Sequence, residues 1–112
     1  MSEIHKNTVQ KFAQALKARQ FNELDKYLEH YVEKLEHHQY VYKNIDEARE
    51  YYSKAPSAEW KVLEFQQLDT KNDTLTARVS HNKQIYHTTY TFSSAGKIEK
   101  IHSVPEHHYT GH

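Results

Sequence analysis

The chain has 112 residues, which is enough for one domain around one hydrophobic core and too few for two. Lys plus Arg and Asp plus Glu both number 15, so bulk charge offers no attraction for nucleic acid. The absence of cysteine excludes disulfides, thiolate metal ligands and a cysteine nucleophile. We expect a cytoplasmic protein without a membrane span, because no signal-peptide pattern and no apolar run of about 18 residues is present.

The first half of the chain is predicted to be largely helical. Two apolar stripes have the i, i+3, i+4, i+7 spacing of amphipathic helices: Val9, Phe12, Ala13 and Leu16, then Leu24, Tyr27, Leu28 and Tyr31. Asn22 is the expected N-cap of the second helix. Residues 32–42 are predicted to form one short, irregular strand. A third helix is predicted from the Asn44 cap, with Glu47 three residues later, to Pro56.

The second half, residues 59–104, has the pattern of four strands. Apolar and polar residues alternate along residues 74–80, as in a half-buried strand. Along residues 85–92, one face has Tyr86, Thr88, Tyr90 and Phe92, and the other has Ile85, His87, Thr89 and Thr91. Turn-forming residues at 71–73, 82–83 and 93–96 separate the strands, which must then be antiparallel neighbours. We therefore predict one α+β domain over residues 1–105, with helices on one face of a sheet, and a flexible polar tail at 106–112.

Four segments carry a resemblance to a known family: residues 9–16, 21–28, 44–52 and 90–98. Together they resemble the three helices and the final turn of nuclear transport factor 2-like proteins, in the SnoaL-like and ketosteroid isomerase-related branch. The resemblance implies a cystatin-like fold, in which three N-terminal helices pack on a curved antiparallel sheet to form a cone. It also implies a pocket at the wide end of that cone.

The resemblance to ketosteroid isomerase places its catalytic groups on particular residues of this chain. The base falls on Glu36 or on His37, the catalytic tyrosine on Phe12 and the protonated aspartic acid on Thr88. Phe12 cannot donate a hydrogen bond, and Thr88 is a weaker donor than a neutral carboxylic acid. We therefore expect no steroid isomerisation, although a general base is retained.

Candidate site residues follow from strand faces and from this resemblance. Glu36 and His37 are candidate bases, although His37 with His38 also fits a surface pair. Tyr86 and Tyr90 share a strand face with Thr88 and are candidate hydrogen-bond donors, or else part of a tyrosine-rich core. The residues expected to line the pocket are Phe12, Leu16, Tyr31, Tyr52, Trp60, Thr88 and Phe92.

Two functions remain open at this point. The first is a pocket for an unknown small apolar or aromatic molecule, with isomerase-, cyclase- or dehydratase-like proton transfer. The second is a non-catalytic binding or scaffold domain that forms a homodimer through the sheet face, with Ile85, His87 and Thr89 as an exposed stripe. We expect no cofactor and no metal, because the ten His form no metal-binding motif.

Overall fold

The computed structural model describes residues 2–55 and 60–108. Its elements are helix α1 (Ser2–Lys17), a 3-10 helix (Phe21–Lys26), strands β1 (Leu28–Glu36) and β2 (Gln39–Tyr42), helix α2 (Ile45–Lys54), strands β3 (Lys61–Asp69), β4 (Thr74–His81), β5 (Gln84–Phe92) and β6 (Ile98–Pro105), and a 3-10 turn (Glu106–His108). Pro56, the expected end of the third helix, and residues 109–112 of the predicted tail lie outside the described residues.

All six strands belong to one sheet in the order β2-β1-β6-β5-β4-β3. The α+β class is confirmed, but the expected antiparallel sheet is wrong in one place, because β1 runs parallel to β6. The expected three N-terminal helices are also wrong, since the second is a 3-10 helix and α2 follows the first two strands. Register shifts interrupt several strand pairs, and such bulges bend a sheet around its core.

The predicted second helix is largely replaced by strand. Only Phe21–Lys26 is helical, and Asn22 lies inside this segment rather than at its N-cap. From Leu28 onward the chain is strand β1, and the Ile98 N–H donates to the Tyr27 carbonyl at 2.8 Å. The sequence around Tyr31 has aromatic and β-branched residues that favour strand, so pairing with β6 prevails over the helical spacing.

The single strand predicted over residues 32–42 is in fact a tight hairpin. Strands β1 and β2 pair through a turn at His37 and His38, and His37 has a φ of 60°. Histidine is tolerated in this left-handed region, but the usual signals of a two-residue hairpin turn are Asn-Gly, Asp-Gly and Gly-Gly, so the sequence gives no ordinary turn signal here.

Two further local predictions, the cap of α2 and the turn between β4 and β5, are confirmed. Asn44 caps α2 by accepting a hydrogen bond from the Glu47 N–H at 2.8 Å. Asn82 and Lys83 form the two-residue turn between β4 and β5, with φ values of 51° and 65°. The core lies between the helices and one face of the sheet. Among the described residues, no helix is long and apolar enough to cross a membrane.

Candidate functional site

The inner face of the sheet brings polar side chains from three strands into register. Lys34 of β1 pairs with Ile101 of β6, which pairs with Tyr90 of β5. Two residues further along β1, Glu36 pairs with Ser103. Paired residues of adjacent strands project on the same face, so a polar row crosses the interior of the domain.

Lys34 is the most unusual member of this row, because its side chain is only 2 % exposed. Its Nζ lies 3.8 Å from the centroid of the Trp60 ring and 5.8 Å from the ring centroids of both Tyr51 and Tyr52. The Glu36 Oε2 atom lies 3.8 Å from Nζ, an ion pair that is too long for a direct hydrogen bond. The ammonium group is therefore held mainly by aromatic faces and one half-buried carboxylate.

Burial lowers the pKa of Lys34 from 10.5 to about 8, and the negative charge of Glu36 only partly opposes this change. An apolar environment disfavours the charged form of an amine, which accounts for the direction. Burial, followed by the charge of Glu36, raises the pKa of the Tyr51 hydroxyl to about 12 and also raises that of Tyr86. Both hydroxyls stay protonated at neutral pH and can donate hydrogen bonds.

Two pairs of hydroxyl groups complete the polar interior. Thr88 Oγ1 lies 3.1 Å from Ser103 Oγ, and Tyr42 Oη lies 2.8 Å from Tyr52 Oη. All four residues are buried. Burial raises the pKa of the Tyr52 hydroxyl well above its usual value, so this pair is also uncharged at neutral pH.

A small cavity adjoins Lys34. Its volume is about 10 Å³, which is about the space that one water molecule needs. The lining residues come from α1, α2 and five of the strands or their ends: Phe12, Ala13, Leu16, Lys34, Tyr52, Trp60, Val62, Val79, Thr88, Tyr90, Ile101 and Ser103. The Trp60 ring closes one side and is itself stacked on His81, with ring centroids 3.9 Å apart.

The structure brings many of the predicted site residues together at this cavity. Phe12, Leu16, Tyr52, Trp60, Thr88 and Tyr90 line it. Glu36 lies beside it through its ion pair with Lys34, and the Tyr86 ring centroid is 5.7 Å from that of Trp60. One candidate base and both candidate donors are therefore on the inner side of the sheet.

Three predicted residues lie elsewhere. Tyr31, expected on a helical stripe, is 58 % exposed because its segment is a strand. Phe92 is buried but stacks on His5, with ring centroids 3.9 Å apart, and does not line the cavity. His37 is exposed in the β1–β2 turn, where it stacks on His38 and its carbonyl lies 2.6 Å from His102 Nε2.

The site residues predicted from the sequence did not include Lys34 or Ser103, although both line the cavity. A lysine between Glu33 and Leu35 looks like an ordinary solvent-facing residue. The available signal was the period of two along β1, since Val32, Lys34 and Glu36 share one face and Val32 is fully buried.

The outer face of the sheet differs from the expected exposed stripe. His87 is only 7 % exposed, because Gln66 Oε1 lies 2.9 Å from its Nδ1 and Glu106 Oε1 lies 3.1 Å from its Nε2. The Arg78 Nε atom also donates to Glu106 at 3.1 Å. His87 therefore belongs to a polar network that ties the end of β6 to the outer face.

Comparison with solved structures places this arrangement in a known fold. A protein of unknown function with a cystatin-like fold from Methylobium petroleophilum PM1 has a TM-score of 0.81 at 8 % identity, over 95 % of this chain and 78 % of that chain. An NTF2-like protein of unknown function from Cytophaga hutchinsonii ATCC 33406 has a TM-score of 0.66 at 16 % identity, over 91 % and 89 %. A SnoaL-like polyketide cyclase from Agrobacterium tumefaciens str. C58 has a TM-score of 0.69 at 15 % identity, over 91 % of each chain.

No protein-family model and no curated protein matches the sequence. At identities of this size, structural similarity establishes the fold and leaves the activity open. The resemblance found in the sequence is confirmed at that level: this chain has the nuclear transport factor 2-like fold.

Proposed function

We propose that the chain is a small-molecule-binding domain of the SnoaL-like type, and that its ligand reaches the interior at Lys34. The observation that carries this proposal is the ion pair of the buried Lys34 with the half-buried Glu36 beside a cavity. A buried ionisable group with a displaced pKa in a concave site is a recognised sign of a functional site. A lysine placed only for stability would gain more by reaching solvent, as most lysines do.

The groups around the cavity are suited to a ligand that carries a hydrogen-bond-accepting oxygen. The Lys34 ammonium and the hydroxyls of Tyr86 and Tyr90 are the donors, and Glu36 is the carboxylate that can accept a proton. Such a set can polarise a carbonyl group and move a proton on the adjacent carbon. Isomerase-, cyclase- or dehydratase-like chemistry is therefore our proposal for turnover, with Glu36 as the base. The SnoaL-like cyclase among the similar structures supports this class of reaction.

One observation favours the alternative, a non-catalytic binding or scaffold domain that dimerises through its sheet face. The cavity of about 10 Å³ is far smaller than an ordinary ligand pocket of about 300–1,000 Å³. Ligand binding therefore requires movement of the side chains that close it, above all Trp60. If the cavity never opens, the outer face of the sheet is the surface through which the domain would bind a partner.

A thermal-shift screen against small carbonyl compounds and carboxylic acids separates the two functions. We expect at least one compound to raise the melting temperature by several degrees at about 100 times its Kd, which corresponds to about 2.7 kcal/mol. The Lys34→Met variant should lose this shift. The matched control is Lys54→Met, which removes a lysine whose side chain is 74 % exposed and should keep the shift. A library without any hit, or an equal shift in Lys34→Met, would favour the scaffold function.

A further inference from the structure

The surroundings of the Lys34 amine favour a nucleophile over a permanent cation. Aromatic rings surround the nitrogen, and the Glu36 carboxylate is the counter-charge at 3.8 Å. With a pKa of about 8, roughly one amine in ten is unprotonated at pH 7, against about one in three thousand for a lysine of pKa 10.5. Removal of water from a lysine in an apolar site is one of the ways in which proteins activate this amine.

A groove on the surface borders the inner cavity that Lys34 lines. It has a volume of about 370 Å³ and lies between α1 and the start of β3. Its lining residues are Gln10, Ala13, Gln14, Lys17, Trp60, Lys61 and Val62. Ala13, Trp60 and Val62 also line the inner cavity, so these three side chains separate the groove from the space beside Lys34. The groove is within the size range of sites for small molecules.

The charge of the site selects among ligand classes. Lys34 and Glu36 form a pair with no net charge, so an anionic ligand finds no surplus positive charge in the interior. A neutral carbonyl compound avoids the cost of burying a further charge. Its carbonyl end needs little space, and the rest of the molecule can remain in the groove.

We propose that Lys34 binds a small aldehyde or ketone covalently, as an imine, and that the compound enters through the groove between α1 and β3. This inference rests on the proposed function of the interior as a ligand site. The nitrogen lone pair attacks the carbonyl carbon, a C–N bond forms, and a proton moves from nitrogen to oxygen to give a carbinolamine. The remaining nitrogen proton is then transferred to the hydroxyl oxygen, the C–O bond breaks, water leaves and the imine remains. Glu36 is the group placed to carry the proton between nitrogen and oxygen.

Reductive trapping tests the proposal on the full chain. The protein is incubated at pH 7 with butanal and sodium cyanoborohydride, and each lysine is scored by peptide mass mapping over time. At pH 7 the free-amine fraction of a lysine with a pKa of about 8 is about 300 times that of a lysine with a pKa of 10.5. Restricted access reduces this advantage, and we expect Lys34 to react at least about tenfold faster than the exposed Lys54. In Lys34→Met, checked for folding by circular dichroism, the fast phase should vanish. In Lys54→Met it should remain.

The result that would overturn the imine is a Lys34 that reacts no faster than Lys54. Its meaning depends on the thermal-shift screen above. If a ligand of that screen requires Lys34 but butanal is not trapped, the imine is wrong and the proposed function stands. If neither binding nor trapping depends on Lys34, both fail.

Discussion

Replacing Lys34 by methionine is expected to raise the free energy of unfolding at pH 7 by about 1–3 kcal/mol, because the remaining Glu36 carboxylate is 35 % exposed and stays hydrated. A pKa lowered from 10.5 to about 8 means that the charge on this amine destabilises the folded state. Methionine has a similar length and no charge, so it removes that cost while it fills the same space beside Trp60. Urea denaturation of the two proteins measures the difference.

The same cause predicts a pH dependence with a definite sign. Between pH 8 and 10.5 the folded protein has released the Lys34 proton, while the unfolded chain still holds it. Because the unfolded state binds more protons in this window, the stability of the wild type rises with pH relative to Lys34→Met. The advantage of methionine should therefore be full below pH 8 and shrink towards pH 10.5. The buried tyrosines are common to both proteins, so their effect on alkaline stability cancels in the difference.

Lys54→Met is the control for this experiment, because it removes one positive charge from an exposed position. Its stability should stay within about 0.5 kcal/mol of the wild type at all these pH values. A Lys34→Met protein that is less stable than the wild type at pH 7 would show that Lys34 stabilises the fold. A structural role would then explain its burial, and no functional amine would be needed to account for it.

Alanine substitutions at Leu28 and at Tyr31 are expected to differ strongly in their effect on the free energy of unfolding. Leu28→Ala is expected to cost about 2–5 kcal/mol, because Leu28 is fully buried at the start of β1. Tyr31→Ala should change stability by less than about 0.5 kcal/mol, because Tyr31 is 58 % exposed and its bond to Glu99 is at the surface. Chemical denaturation of the two variants measures both values.

This pair discriminates between strand and helix for the segment. On a helix, Leu28 and Tyr31 would share one buried stripe, and both substitutions would be costly. On the observed strand, Leu28 is buried and Tyr31 is exposed three positions further along, and a register shift with β6 lies between Leu28 and Glu33. Similar losses for the two variants would contradict the strand.

The parts of the fold that could be predicted from sequence are those set by neighbouring residues. The alternation along β4, the Asn82–Lys83 turn and the Asn44 cap of α2 each depend on a few adjacent side chains. The parallel pairing of β1 with β6 joins residues that are more than sixty positions apart. No local pattern encodes such a pair, and the spacing of apolar residues around Leu28 predicted a helix where the structure has a strand.

The residues of the candidate site also differ in whether the sequence could predict them. Trp60, Thr88 and Tyr90 could be assigned to the interior because bulky or alternating residues indicate their strand faces. The period of two along β1 indicates the strand face of Lys34 but not its burial, because Trp60 and α2 cover it from later parts of the chain. A lysine becomes a site residue only when the surrounding fold removes it from water.

The titration of Lys34 itself tests the central claim most directly. Carbon-13 labelling of the lysine side chains, with Lys34→Met to assign the signal, gives its pKa by NMR. We expect one lysine signal to titrate near pH 8 and to be absent from the variant. A Lys34 signal that titrates with the exposed lysines would mean a hydrated amine. The interior would then hold neither the proposed ligand site nor the proposed imine.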